Sequence, residues 1–129
     1  MIDVGLRKDL RDGILIFDGA MGTMLQNMGL ETGELPELLN IKSPELIVEI
    51  HKRYVKAGAN IITTNTFGVN EIKLQASGFT VEEIIHSGVE NAKKAVGDKD
   101  IYIALDIGPI GELLEPMGTL RFDHAYNIF

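Results

Sequence analysis

Apolar residues follow two different patterns along this 129-residue chain. Short runs at 14–17, 60–64 and 101–105 predict strands, because they are brief and bounded by turn-forming or polar residues. A buried helix could show the first run too, but its flanks of Gly13 and Asp18-Gly19 favour a strand. Elsewhere, apolar residues recur three and four apart, which predicts helices. Leu6 and Leu10 share one face of a short helix over 4–11. Ser43-Pro44-Glu45 predicts a helix start, with serine as cap, proline in the first turn and glutamate at the positive end of the dipole. Leu46, Ile47, Ile50, Tyr54 and Ala57 form its stripe, and Gly58 can end it in the left-handed conformation. Thr80-Val-Glu-Glu83 matches a capping box. The stripe of Val81, Ile84, Ile85, Val89, Ala92 and Val96 carries that helix to Gly97. The methionines at 21, 24 and 28 also have helical spacing and predict core packing.

The predicted order is one helix followed by three strand-plus-helix units, about one per 40 residues. Strands with few polar positions imply a parallel sheet covered on both faces. Right-handed crossovers bring the C-terminal ends of such strands to one edge. Asp18, Asn65 and Asp106 then meet there. A closed eight-unit barrel needs about 250 residues. The expected fold is therefore α/β, as the N-terminal part (about three βα units) of a (β/α)8 TIM barrel, with an open sheet as the other possibility. The last segment, 122–129, has helical spacing but no stop signal. It favours a barrel portion, incomplete at its C-terminus, over an open sheet.

Composition narrows the function classes. A net charge of −7 argues against nucleic acid or an anionic membrane as the main partner. No apolar run approaches the roughly 18 residues of a membrane span. The start of the chain lacks the basic and apolar regions of a secretory signal. There is no cysteine, so neither a disulfide nor a thiolate ligand can form within these residues. The cytoplasm is the expected location.

Three strand ends carry candidate chemistry. At Asp18-Gly19-Ala20-Met21-Gly22, the aspartate can accept hydrogen bonds from an ammonium group, and free turn amides can hold a carboxylate. Together they would recognise an amino acid. The plainer reading is an aspartate capping the next helix. The spacing is not that of a dinucleotide fingerprint. At Thr63-Thr-Asn-Thr-Phe-Gly68, small polar residues either line a pocket or satisfy loop backbone. At Asp106-Ile-Gly-Pro-Ile-Gly-Glu112, the glycines and Pro109 impose a turn that Asp106 either orders or uses to face ligand, and ordering is slightly favoured. Glu112 reads as structural. His51, His86 and His124 have no second ligand at metal spacing.

These motifs, with Leu39-Asn-Ile41 and Ser43-Pro44, occur in an order and spacing that resembles the N-terminal part of the homocysteine S-methyltransferase family. The Asn65-Thr-Phe-Gly68 form is most similar to the homocysteine-binding module of the cobalamin-dependent branch. It fits less well to relatives that use betaine or S-methylmethionine. The resemblance covers essentially the whole chain. It implies a barrel that binds homocysteine at its strand ends and methylates a zinc-activated thiolate to give methionine. Methylcobalamin is then the immediate donor, with methyltetrahydrofolate behind it. It implies Asp18 on the substrate ammonium, the amides of Gly19 and Ala20 near its carboxylate, and Asn65, Thr66 and Asp106 lining the same edge. The implied partners are homocysteine, the rest of the barrel, and folate and cobalamin modules. The family's zinc cysteines lie later in the barrel and have no counterpart here, so the isolated chain is expected to be inactive.

Two other readings compete. One is a truncated, non-catalytic unit that binds an amino acid or associates with itself through open sheet edges. The other is an unrelated barrel or doubly wound enzyme using its glycine turns for phosphate, which no P-loop or Rossmann spacing supports.

Overall fold

The computed structural model describes residues 4–31 and 33–129. Its elements run α1 (Val4–Asp12), α2 (Met21–Asn27), a 3-10 turn (Pro36–Leu38), α3 (Leu39–Lys42), α4 (Pro44–Ala57), β1 (Ile61–Thr63), α5 (Glu71–Leu74), α6 (Val81–Val96), β2 (Tyr102–Ala104) and α7 (Phe122–Ile128). The alternation is that of an α/β fold. β1 and β2 are parallel, with Ile61 opposite Tyr102, Ile62 opposite Ile103 and Thr63 opposite Ala104.

The expected first strand, 14–17, is reduced to a single parallel bridge between Phe17 and Ile61. Backbone bonds from Ile61 N to Ile16 O and from Asp18 N to Ile61 O hold it beside β1. The reason is its edge position. Ile14 is 89% exposed, and the Ile16 amide donates to the Asn60 side chain instead of extending the ladder. The segment order across the sheet is still 17, β1, β2, so strands consecutive in the chain are neighbours.

The helix signals behave as local chemistry dictates. α6 begins with a complete capping box: the Thr80 hydroxyl accepts from Glu83 N, and Glu83 reaches back to Thr80 N. α4 starts at Pro44 and ends at Gly58, whose φ of +103° is left-handed. Ser43 differs from expectation, since its side chain makes no capping hydrogen bond at α4. The residue serves both as the last position after α3 and the first before α4, with φ −148° and ψ 61°. Proline at the next position removes one N–H that would otherwise need a cap.

Two buried clusters anchor the layers. Ile62 on β1 packs with Ala59, Ala92 and Val96, joining sheet to α6. Leu25, Ile47 and Ile50 join α2 to α4, with Met21, Met24 and Met28 packed against them. The methionines are half-buried and pack against this core, as their spacing predicts. Ala57, counted in the α4 stripe, is exposed, because the helix ends there. No helix among the described residues is long and apolar enough to cross a membrane.

Candidate functional site at the strand ends

The bridge at Phe17 has one decisive consequence. It sets Asp18 beside Thr63, the last residue of β1. The Thr63 hydroxyl donates to Asp18 Oδ1 at 2.7 Å, and the Thr63 amide donates to Oδ2 at 3.1 Å. Both carboxylate oxygens are thereby oriented, each keeping a lone pair for another donor. Partial burial raises the Asp18 pKa above its usual 3.8, and the nearby Asp106 charge adds to the rise. The two Thr63 donors oppose it by favouring the ionised form.

The turn after Asp18 is braced from behind by α4. The Tyr54 hydroxyl donates to Ala20 O at 3.1 Å. A Cβ on Gly19 would stand 2.9 Å from both Cε1 and the hydroxyl of Tyr54. The close approach of the Tyr54 ring therefore favours glycine here. Burial, and then the Asp18 charge, raise the Tyr54 pKa. Gly19→Ala is expected to push Tyr54 aside and release Ala20 O. It should cost about 1–2 kcal/mol of stability. Urea unfolding checks this, and an unchanged midpoint would show that Tyr54 yields without cost.

The loop after β1 is held by buried polar groups. Asn40 donates to Asn65 O at 2.7 Å, Asn65 donates to Pro36 O at 2.9 Å and to Asn40 Oδ1 at 3.2 Å, and Asn91 donates to Asn40 O at 2.9 Å. The Thr64 and Thr66 hydroxyls are 2.7 Å apart. Thr66 donates to Asp106 O at 2.7 Å, and Asp106 N donates to Thr64 Oγ1 at 3.1 Å. The backbone of Asp106 is thus tied to the neighbouring strand end. Gly88 on α6 lets this network sit close, since a Cβ there would lie 2.9 Å from Thr66 Cγ2 and 3.0 Å from Asn40 Nδ2.

Gly19, Ala20, Asn65, Thr66 and Asp106 line one cleft of about 280 Å3. Thr63, the partner of Asp18, lines it too. Five of the six residues named from the sequence therefore line the cleft, and the sixth, Asp18, stands behind its wall, joined to it through Thr63. Asn65 faces inward to Pro36 and Asn40 with its side-chain N–H groups, so what it offers the cleft is limited. A larger hollow of about 560 Å3 lies between α5 and the start of α6. Its Thr80 hydroxyl is committed to the cap, so size does not make it the better site.

Sequence reasoning missed Thr63 as the partner of Asp18, Tyr54 as a brace, and Asn40, Asn91 and Glu37 as buried polar groups. Asn91 carried a signal, being polar beside Ala92 on an apolar helix face. Glu37 carried none, and Thr63 carried a polar motif but not its partner, because both partners are distant in the chain. Among the described residues, no three His, Asp or Glu side chains converge as a metal site.

Residues 15–129 match the family model for homocysteine S-methyltransferase. The chain belongs to that family. Over 135 aligned residues it is 29% identical to methionine synthase of Mycobacterium tuberculosis, covering 95% of this chain and 11% of that protein. Methionine synthase of Mycobacterium leprae is 39% identical over 74 residues, 53% of this chain and 6% of the relative. The solved homocysteine methyltransferase MmuM of Escherichia coli, in its metallated form, superposes with a TM-score of 0.72 at 28% identity. That match covers 82% of this chain and 42% of MmuM, and the oxidised form gives 0.74. The chain thus spans less than half the length of each of these relatives.

Proposed function

We propose that this chain is the N-terminal portion, over residues 1–129, of a homocysteine S-methyltransferase barrel and that it binds the amino-acid end of homocysteine. The observation that carries the reading is the clamp of Asp18 by Thr63 at the edge of the cleft. A fixed carboxylate with free lone pairs suits an ammonium group. The amides of Gly19 and Ala20, in the turn braced by Tyr54, then face the substrate carboxylate. Thr66 and Asp106 shape the floor, and Asn65 holds the loop in place.

Similarity to methionine synthases favours methylcobalamin, supplied by methyltetrahydrofolate, over betaine or S-methylmethionine as donor. Zinc does not fit the residues present: the chain has no cysteine, and the described acids and histidines do not converge. Activation of the thiol is therefore assigned to groups outside these residues. The remaining barrel strands and folate and cobalamin modules are the partners this reading requires, and the cytoplasm is the location it suits. The open edge at Ile14 and Ile16, 89% and 58% exposed, fits a sheet that continues into further strands.

The test is calorimetric titration of the chain with L-homocysteine, 4-mercaptobutyrate and homocysteine methyl ester. The first lacks neither end group, the second lacks the ammonium, and the third masks the carboxylate. Homocysteine is expected to bind at least about tenfold more tightly than either analogue, each lost charge-assisted contact contributing about 1.5–3 kcal/mol. Equal affinity for all three, or none for homocysteine, would remove the assignment. Aggregation through the open edge, seen by sedimentation with no ligand effect, would favour a self-associating unit instead.

A further inference from the structure

Besides Asp106, the cleft is lined by a carboxylate whose surroundings are incomplete. Glu37 is only 6% exposed. Its Oε1 accepts the Gly68 N–H at 2.6 Å. Its Oε2 is enclosed, and among the described residues it accepts no hydrogen bond. A carboxylate oxygen removed from water without a donor is strongly unfavourable. The local backbone nevertheless admits it. A Cβ on Gly68 would stand 2.6 Å from Oε1 and 3.1 Å from Oε2, so any side chain at 68 would displace the carboxylate.

Position supplies the missing part of the account. Glu37 lines the same cleft as Gly19, Ala20 and Asp106. No Lys, Arg or His among the described residues lines it. Walls that carry carboxylates and no basic group favour a cationic ligand group. An ammonium has three N–H donors, more than one carboxylate in a fixed orientation satisfies.

We infer that Glu37 is a further substrate-contacting residue, whose carboxylate turns toward the cleft it lines so that Oε2 leaves its enclosed position and accepts an N–H of the ammonium group that Asp18 also binds. The inference rests on the amino-acid-binding reading above. A purely structural Glu37 would only anchor Gly68, and that task needs one acceptor oxygen. Glutamine supplies that oxygen equally well, so Glu37→Gln separates the two roles.

The experiment compares the wild-type chain and Glu37→Gln by calorimetric titration with L-homocysteine and with 4-mercaptobutyrate, alongside thermal unfolding. The expected result is a rise in the homocysteine Kd of about tenfold or more. Affinity for 4-mercaptobutyrate should stay within about twofold, and the unfolding midpoint should hold, because glutamine keeps the acceptor for Gly68 and exchanges one unpaired buried polar atom for another. Homocysteine affinity unchanged by the substitution overturns the inference while leaving the amino-acid-binding reading intact. So does an equal loss for both ligands. Absence of homocysteine binding by the wild-type chain overturns both. A measurement on the wild-type chain guards against a variant that does not fold. Homocysteine should shift the Gly68 amide resonance, whose N–H is bound to Glu37, and 4-mercaptobutyrate should not. No homocysteine-dependent shift at Gly68 overturns the inference.

Discussion

Asp18→Asn is expected to weaken homocysteine binding by about 100-fold while leaving the fold intact. Asparagine has nearly the same shape, but it offers one acceptor oxygen where aspartate offers two. Thr63 donates to both positions, from its hydroxyl and from its amide. One of these donors must then face an NH2 group. The ammonium also loses its ionic partner, and loss of a charge-assisted hydrogen bond costs about 1.5–3 kcal/mol, to which the disturbed clamp adds. Asp18 is only partly buried and belongs to no apolar cluster, so unfolding by urea should change by less than about 1 kcal/mol. The wild-type pH profile gives an independent reading. Burial raises the Asp18 pKa above 3.8, and only the ionised form attracts an ammonium. Affinity should therefore be full at neutral pH and fall on acidification, starting at higher pH than an ordinary aspartate would dictate. The Asn variant should lack that fall. An Asn variant within threefold of wild type would remove Asp18 from the site.

His51→Leu is expected to remove an acid sensitivity built into the fold. His51 is wholly buried in α4, and neither ring nitrogen has a hydrogen-bond partner among the described residues. Burial lowers its pKa from 6.5 to about 4. The unfolded chain then takes up a proton below pH 6.5 that the folded chain refuses until about pH 4. Since the unfolded state binds more protons in that window, stability falls as pH falls. The shift corresponds to roughly 3 kcal/mol lost between pH 7 and pH 4. Leucine is similar in volume and does not titrate. Relief of two unsatisfied nitrogens should add about 1–2 kcal/mol at pH 7. Urea unfolding of both proteins across this range measures the difference. Parallel stability curves for wild type and variant would show that His51 is not the group responsible.

Several features were legible because their causes are local. The capping box at Thr80, the left-handed stop at Gly58 and the stripe of α6 each depend on residues within a few positions of one another. So does the methionine face at 21, 24 and 28, which packs half-buried against the core. Other expectations depended on neighbours. Residues 14–17 have the composition of a buried strand, yet lie at a sheet edge with a single bridge. Ser43 has the identity of a cap, yet its side chain makes no cap bond. A run of apolar residues does not say how many strands will flank it.

The sequence by itself determined where the chain turns, which helix faces are apolar and which strand ends carry polar groups. Those properties follow from periodicity, capping and turn chemistry, all short in range. Only the tertiary structure decided which polar group meets which. Asp18 and Thr63 are 45 residues apart, Asn40 and Asn91 are 51, and Glu37 and Gly68 are 31. Parallel pairing of Phe17 with Ile61 brings the first pair together, and packing of α3 near α6 brings the second. Hydrogen bonds of 2.5–3.2 Å then depend on placement far finer than any local preference encodes. The candidate site exists at that finer scale.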